Sequence, residues 1–203
     1  MSDQMNKTTE LPRPEETPRS DRSERLTRPD IVEAAKRITA REGLDSLTMR
    51  KLADELGVTS MAPYYYVRNK DELIDLVTEA VMSAVPVPDP SSGRWDERLW
   101  TLNRESRRVI AKYPGLAEAL MTRTRPESSR RLTQVTIGLL REAGFDESEA
   151  VVAYNTFNAL MFGRIAVKDG DHAGRRGEDE FYRWAFDTLI AGFKARLAGD
   201  IPT

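Results

Sequence analysis

The chain begins without a usable apolar pattern and then acquires a helical one. Over residues 1–26 the only large apolar side chains are Met1, Met5, Leu11 and Leu26, set among charges and Pro12, Pro14 and Pro18. Such a composition cannot bury enough surface to fold by itself, so the segment is expected to be a disordered tail. From Pro29 onward Ile31, Ala34, Ala35, Ile38 and Leu44 recur at helical spacing, with Gly43 placed to end the run. Thr48 is suited to cap a second, short helix that turns Leu52, Ala53 and Leu56 to one side and closes at Gly57. A third short helix is expected between Thr59 and Val67. Asn69 and Glu72 signal the start of a fourth, whose stripe of Leu73, Leu76, Val77, Ala80 and Ala84 is stopped by Pro86, Pro88 and Pro90.

Apolar spacing then predicts five more helices, near 94–112, 115–122, 127–143, 146–167 and 178–198. Pro114, Pro126, Gly144 and the polar loop from Lys168 to Gly177 separate them. No stretch alternates as a half-buried strand does, and none repeats, so the fold class is all-α.

Composition narrows the options. With 203 residues the chain can bury a core, and with no cysteine it has neither disulfides nor thiolate chemistry, which suits a reducing compartment. Charges break every apolar run well short of the roughly 18 residues a membrane span needs, and residues 1–26 lack the apolar centre of a signal peptide. A soluble, cytoplasmic protein with no membrane partner is expected. Residues 1–85 hold 13 Lys and Arg against 16 Asp and Glu, and the remainder 18 against 17, so neither half is basic. Nucleic-acid binding would have to rest on a local surface, such as Arg50, Lys51, Arg68 and Lys70 set against Asp54 and Glu55. Arg13, Arg19, Arg22 and Arg25 in the tail are interleaved with Glu15, Glu16, Asp21 and Glu24, and read as a solvated segment rather than a DNA-binding arm.

The informative stretch is Thr48 to Ile74, TMRKLADELGVTSMAPYYYVRNKDELI. A helix ends at Gly57 and another begins two residues later, which is the grammar of a helix-turn-helix. Ala53 is small where two helices cross, Leu52, Leu56 and Val58 fill the space beneath, and the following element is left to enter a major groove. This stretch resembles the DNA-binding domain of the tetracycline-repressor (TetR) family over roughly residues 28–85. The likeness rests on Glu42-Gly43, Thr48 before Arg50-Lys51-Leu52-Ala53, Leu56-Gly57-Val58, a tyrosine late in the third helix and Asn69-Lys70. Beyond residue 86 it extends only to helix number and length.

The resemblance implies a tail over 1–26, a three-helix helix-turn-helix DNA-binding domain over 27–85 that includes the connecting fourth helix, and a helical ligand-binding and dimerisation domain over 86–203. It implies that Thr48 and Arg50 approach DNA, that the third helix presents Thr59, Ser60, Met61, Tyr64, Tyr65 and Tyr66, and that Lys70 meets the backbone. Hydroxyls, a lysine and a helix N-terminus are groups that fix register on phosphates. Base reading would fall to Thr59, Ser60, Met61 and Tyr65, with Arg50 suited to a guanine. Pro63 departs from the aliphatic residue usual in the family; it removes one helical donor and pushes Ala62 away from α geometry. A purely structural role for the three tyrosines competes with DNA contact, most strongly for Tyr66 beside Val67.

In the C-terminal half, the helix near 146–167 is apolar on nearly every face. One stripe carries Val151, Tyr154, Asn158, Met161 and Ile165, another Val152, Asn155, Ala159, Phe162 and Ala166. Either could line a pocket while the other meets a partner. The last helix has Phe181, Trp184, Ala185, Thr188 and Gly192 on one side and Tyr182, Phe186, Leu189 and Phe193 on the other. The resemblance implies that these two helices form a four-helix bundle with a second copy, giving a homodimer. Pocket candidates are Trp95, Trp100, Asn103, Tyr113, Met121, Tyr154, Asn155, Phe157, Asn158, Met161 and Phe162, apolar walls with a few amides. Asn103, Asn155 and Asn158 point most sharply to a ligand, because a buried amide needs partners.

The function expected is a repressor released from double-stranded operator DNA by a small apolar effector. The alternatives are a DNA-binding regulator switched by a protein partner, which should show an exposed apolar groove, and an all-helical enzyme. The enzyme reading has little support: His172 is the only histidine, it lies with Asp169 and Asp171 in a glycine-rich polar loop, and no phosphate loop or nucleophile motif occurs. No metal or cofactor is expected.

Overall fold

Helix boundaries follow the capping chemistry placed around them. In a computed structural model of the chain, which describes residues 26–123, 127–166 and 177–201, Thr27 and Asp30 cap each other's backbone N–H and start α1 (Arg28–Glu42). Gly43, at φ 84°, ends it with its N–H on Thr39 O at 2.9 Å. After a 3-10 turn, Leu44–Ser46, the Thr48 hydroxyl accepts from Lys51 N–H and opens α2 (Met49–Leu56), which Gly57 closes in the left-handed region at φ 67°. Asn69 caps α3 (Lys70–Ser83) by accepting from Glu72 N–H at 2.9 Å. There follow α4 (Trp95–Ile110), α5 (Leu116–Thr122), α6 (Glu127–Ala143), α7 (Glu147–Ala166) and α8 (Glu178–Leu197), and no strand among the described residues. The Phe145-Asp146-Glu149 signal is realised: Asp146 and Glu149 accept from each other's backbone N–H, and Phe145 is buried.

One element departs from expectation. The third helix is reduced to a 3-10 segment, Ala62–Tyr65, held by i to i−3 bonds from Ala62 N to Thr59 O, Tyr64 N to Met61 O and Tyr66 N to Pro63 O, at 3.0–3.1 Å. Pro63 is the reason, since it offers no N–H for an α-helical ladder and sets the backbone of Ala62.

The apolar core is continuous across the expected division near residue 86. Ile31, Ala34, Leu52, Ala53, Val58, Val67, Leu73 and Val77 are buried together, and the cluster runs on to Ile110, Leu116 and Leu132. A second cluster joins Leu99, Leu140, Phe145, Phe157, Met161, Tyr182, Phe186 and Phe193. Polar contacts tie the same parts. Leu44 N–H donates to Pro114 O at 2.8 Å, Arg123 bonds Asp71 and Asp75, Arg131 donates to Val85 O, and Glu79 on α3 accepts from both the N–H and hydroxyl of Ser128 at 2.9 Å.

On α7, Ala153, Tyr154, Phe157 and Met161 turn inward while Val151, Val152, Asn155 and Ala159 stay exposed. On α8, Tyr182, Ala185, Phe186, Ile190 and Phe193 are buried and Trp184 and Thr188 exposed. The face holding Tyr182 and Phe193 therefore belongs to this chain's own core.

Candidate nucleic-acid interface and small-molecule cavity

Around the 3-10 segment the structure gathers an exposed polar and aromatic surface. Thr48, Arg50, Thr59, Ser60, Met61, Tyr64 and Tyr65 are all exposed, Tyr65 by 86%. Tyr66 is not part of it in the same way: its ring is half-buried and its hydroxyl donates to Leu26 O at 2.5 Å, pinning the residues before α1. Lys70 is half-buried, with Nζ donating to Asp45 O at 2.9 Å, so its charge sits at the start of α3 against the Leu44–Ser46 turn.

Most neighbouring cations are already paired. Lys51 meets Glu42 at 2.6 Å, Arg37 and Arg41 share Glu55 at 2.9 and 3.2 Å, and Arg68 and Arg28 share Glu72 at 3.0 and 3.4 Å. The hydrogen bonds from Lys51 and Arg41 lower the pKa of Glu42. The backbone and side chain of Arg68 do the same for Glu72. Arg50 has no ion-pair partner among the described residues and remains available to an external anion.

Away from this surface, α3 to α7 line a half-open cavity of about 110 Å³. Of the pocket candidates, Asn103, Met121, Tyr154, Phe157 and Asn158 line it. Trp100 instead packs on Phe186 at 5.0 Å, beneath Arg183 in a separate surface groove between α4 and α8. Tyr113 packs on the N-terminal cluster, Asn155 is exposed and Met161 is fully buried in the second cluster. Trp95 packs against the second cluster, so five candidates lie off the cavity, and they share a cause: helical periodicity groups residues by face but does not say what each face meets. The side chain of Phe162, and the whole loop with Asp169, Asp171 and His172, lie outside the described residues, as does the arginine-bearing tail.

The sequence reading missed most of the cavity wall: Met82, Leu99, Leu102, Ser106, Ile110, Ala117, Leu120, Ser129, Leu132, Thr133 and Thr136. The signal available was the spacing of Leu99, Leu102, Asn103, Ser106 and Ile110 along one side of α4. Within the cavity, Ser106 and Thr136 spend their hydroxyl hydrogens on Leu102 O and Leu132 O. Thr133 donates to Ser129 O at 2.9 Å, and its oxygen accepts from the Tyr154 hydroxyl at 2.6 Å. Both amide atoms of Asn103, the hydroxyl of Ser129 and Nδ2 of Asn158 are buried without a hydrogen-bond partner. Asn103 is only 2% exposed, so leaving its amide without a partner is costly. No described helix is long and apolar enough to cross a membrane.

Comparison with known proteins gives two matches to family models. Residues 31–77 match the family described as bacterial regulatory proteins of the tetR family, and residues 87–188 the tetracyclin repressor-like C-terminal domain. An HTH-type transcriptional regulator of Saccharopolyspora erythraea is 31% identical over 74% of this chain, and the match spans 66% of that protein, just under two thirds of its length. The tetracycline repressor protein class A from transposon 1721, from Escherichia coli, is 33% identical over 72% of this chain and 70% of its own length. Among solved structures, the TetR family protein ActR of Streptomyces coelicolor in complex with (S)-DNPA superimposes with a TM-score of 0.71 at 28% identity, covering 86% of this chain and 98% of ActR. BioQ bound to its double-stranded DNA operator does so with a TM-score of 0.69 at 26% identity, covering 84% and 99%.

Proposed function

Because the chain belongs to the tetracycline-repressor family of transcriptional regulators, we propose that it is a homodimeric repressor that leaves operator DNA when a small, largely apolar molecule enters the α3–α7 cavity. The observation that carries this reading is the reach of α3. Its first residue, Lys70, follows the 3-10 segment with the exposed Tyr64 and Tyr65 by five residues, and Met82, the last residue but one at its far end, is a wall of the cavity. A ligand that favours a different seating of Met82 therefore bears on the helix that positions the DNA-facing residues.

In this reading Tyr64 and Lys70 hold phosphates, Thr59, Ser60, Met61 and Tyr65 meet base edges, and Arg50 contacts a phosphate or a guanine. Thr48 contributes at the N-terminus of α2. A two-fold dimer places two such surfaces on successive major grooves, so the operator is a near-palindrome with half-sites about one helical turn apart or somewhat more. A ligand shifts the equilibrium only through unequal affinity for the two arrangements, and a coupling of about 1–3 kcal/mol changes operator affinity some 5- to 150-fold. By linkage, operator DNA weakens ligand binding by the same factor.

The test is selection of bound fragments from genomic DNA with the purified protein, followed by titration of the selected site with and without cavity ligands. Binding to one near-palindromic site, weakened by a cavity ligand, is the result expected. Ligands that occupy the cavity and leave operator affinity unchanged would overturn the sensor reading.

A further inference from the structure

The walls of the cavity are apolar, and its polar atoms are unevenly supplied. None of the described residues lining it is acidic or basic. The two buried arginines of α4 are engaged elsewhere: Arg98 pairs with Glu142, and Arg107 lies 3.6 Å over the ring of Tyr182 and near Asp179. A charged ligand group would thus lose its hydration without meeting a counter-charge, the least favourable kind of burial.

The hydroxyl hydrogens of Ser106, Thr133 and Thr136 are committed to backbone carbonyls, leaving those groups only as further acceptors. The open donors are the amide nitrogens of Asn103 and Asn158 and the hydroxyl of Ser129, and Asn103 also offers its carbonyl oxygen. Because both atoms of the Asn103 amide are open, exchanging its O and N positions does not change this inventory. Two primary amide nitrogens and a hydroxyl set among apolar walls match a ligand that brings oxygen acceptors.

Resting on the sensor reading above, we propose that the effector is an uncharged molecule with a ring of about benzene size in the cavity and a ketone-type carbonyl held by Asn103 and Asn158. The size follows from the cavity of about 110 Å³, somewhat below the roughly 150 Å³ apolar cavity that holds benzene in a well-known engineered case. Met121, exposed at the edge of the cavity, is where a larger substituent would emerge. Asn103 and Asn158 are then specificity-determining residues. They reject ligands lacking an acceptor because their own amides would stay unpaired.

The experiment measures binding of acetophenone, 4-ethylphenol, benzoate and benzylammonium to the full chain by ligand-observed NMR and calorimetry, alongside Asn103→Leu and Asn158→Leu. Acetophenone should bind at least about tenfold more tightly than either ion and several-fold more tightly than 4-ethylphenol. Each variant should melt cooperatively and lose that preference for the ketone; because the variants are tested separately, a folding failure in one leaves the other to decide. Benzoate, benzylammonium or 4-ethylphenol binding as tightly as acetophenone would overturn the ligand class while leaving a sensor in place, as would unchanged ketone affinity in the folded variants. Binding of none of the four probes would overturn the sensor reading of the cavity, and the ligand class with it.

Discussion

Tyr65 and Tyr66 are neighbours of one type with different physical situations. Tyr65 is exposed and its hydroxyl has no hydrogen-bond partner among the described residues, whereas Tyr66 spends its hydroxyl on Leu26 O. Tyr66→Phe is therefore expected to cost about 1 kcal/mol of stability, read by denaturant unfolding, with the DNA sequence preference unchanged. Tyr65→Ala should do the reverse, altering the sequences recovered by selection while leaving the melt near wild type. Lys70→Ala should weaken binding to all sequences and flatten the salt dependence by about one unit of slope. Asn103 gives the opposite kind of prediction. Its amide is buried with no hydrogen-bond partner among the described residues, so Asn103→Leu, of similar volume, should stabilise the protein by about 1–3 kcal/mol in the absence of ligand. An unchanged or lowered unfolding midpoint for that variant would show that the amide is satisfied in solution.

Among the elements, α3 and α6 are joined through a single carboxylate. Glu79 on α3 accepts from the backbone N–H and hydroxyl of Ser128 in the first turn of α6, and Ser83 donates to its other oxygen. The next residue, Ser129, lines the cavity. Burial opposes the charged form of Glu79, but the two bonds from Ser128, the bond from Ser83 and the charge of Arg131 outweigh it and hold its pKa below the ordinary value. A pKa lowered by folding stabilises the protein above the unfolded-state value, and that stabilisation is lost as pH falls through the folded-state value. Glu79→Gln should then cost about 1 kcal/mol at pH 7, and the gap from wild type should narrow below about pH 4, where the carboxylate takes up its proton. Urea unfolding at both pH values decides this; a gap that stays constant or widens in acid would mean that the charge of Glu79 is not what joins the two helices.

At the scale of the whole molecule, α7 and α8 leave an apolar face uncovered. Val152 is 65% exposed and Trp184 56%, and Val151, Leu160 and Ala159 add to the same two helices. A second copy covering that face accounts for it, in keeping with the isologous pairing that closes a two-fold dimer. Ala159→Arg should convert the dimer to monomers in light scattering at micromolar concentration while preserving the helical signal. Phe193→Arg should instead unfold the chain, because Phe193 packs edge-on to Phe145 at 5.5 Å inside the core. A monomeric wild-type protein under the same conditions would remove the bundle from the account.

What the amino-acid sequence determined by itself was local. Thr48, Asn69, Asp146, Gly43 and Gly57 act on backbone groups within four residues of themselves, so helix starts and stops could be read from them, and so could the helix-turn-helix. Pro63 was equally local, and the 3-10 segment is its consequence. The cavity was different in kind. Asn103, Tyr154 and Asn158 stand out as amides and a hydroxyl on apolar helices, yet Trp100 and Tyr113 look as suitable by composition and were drawn elsewhere. On α4 the side facing α6 took Asn103 and Ser106, while Trp100 went to Phe186 on α8. On α7, apolar on nearly every face, periodicity drew two stripes without saying what either meets, and only packing against α6 and α8 separated the buried Met161 from the exposed Ala159. Short-range hydrogen bonds carry their geometry with the residue, whereas burial is a property of what arrives from far along the chain, and tertiary packing alone chose it.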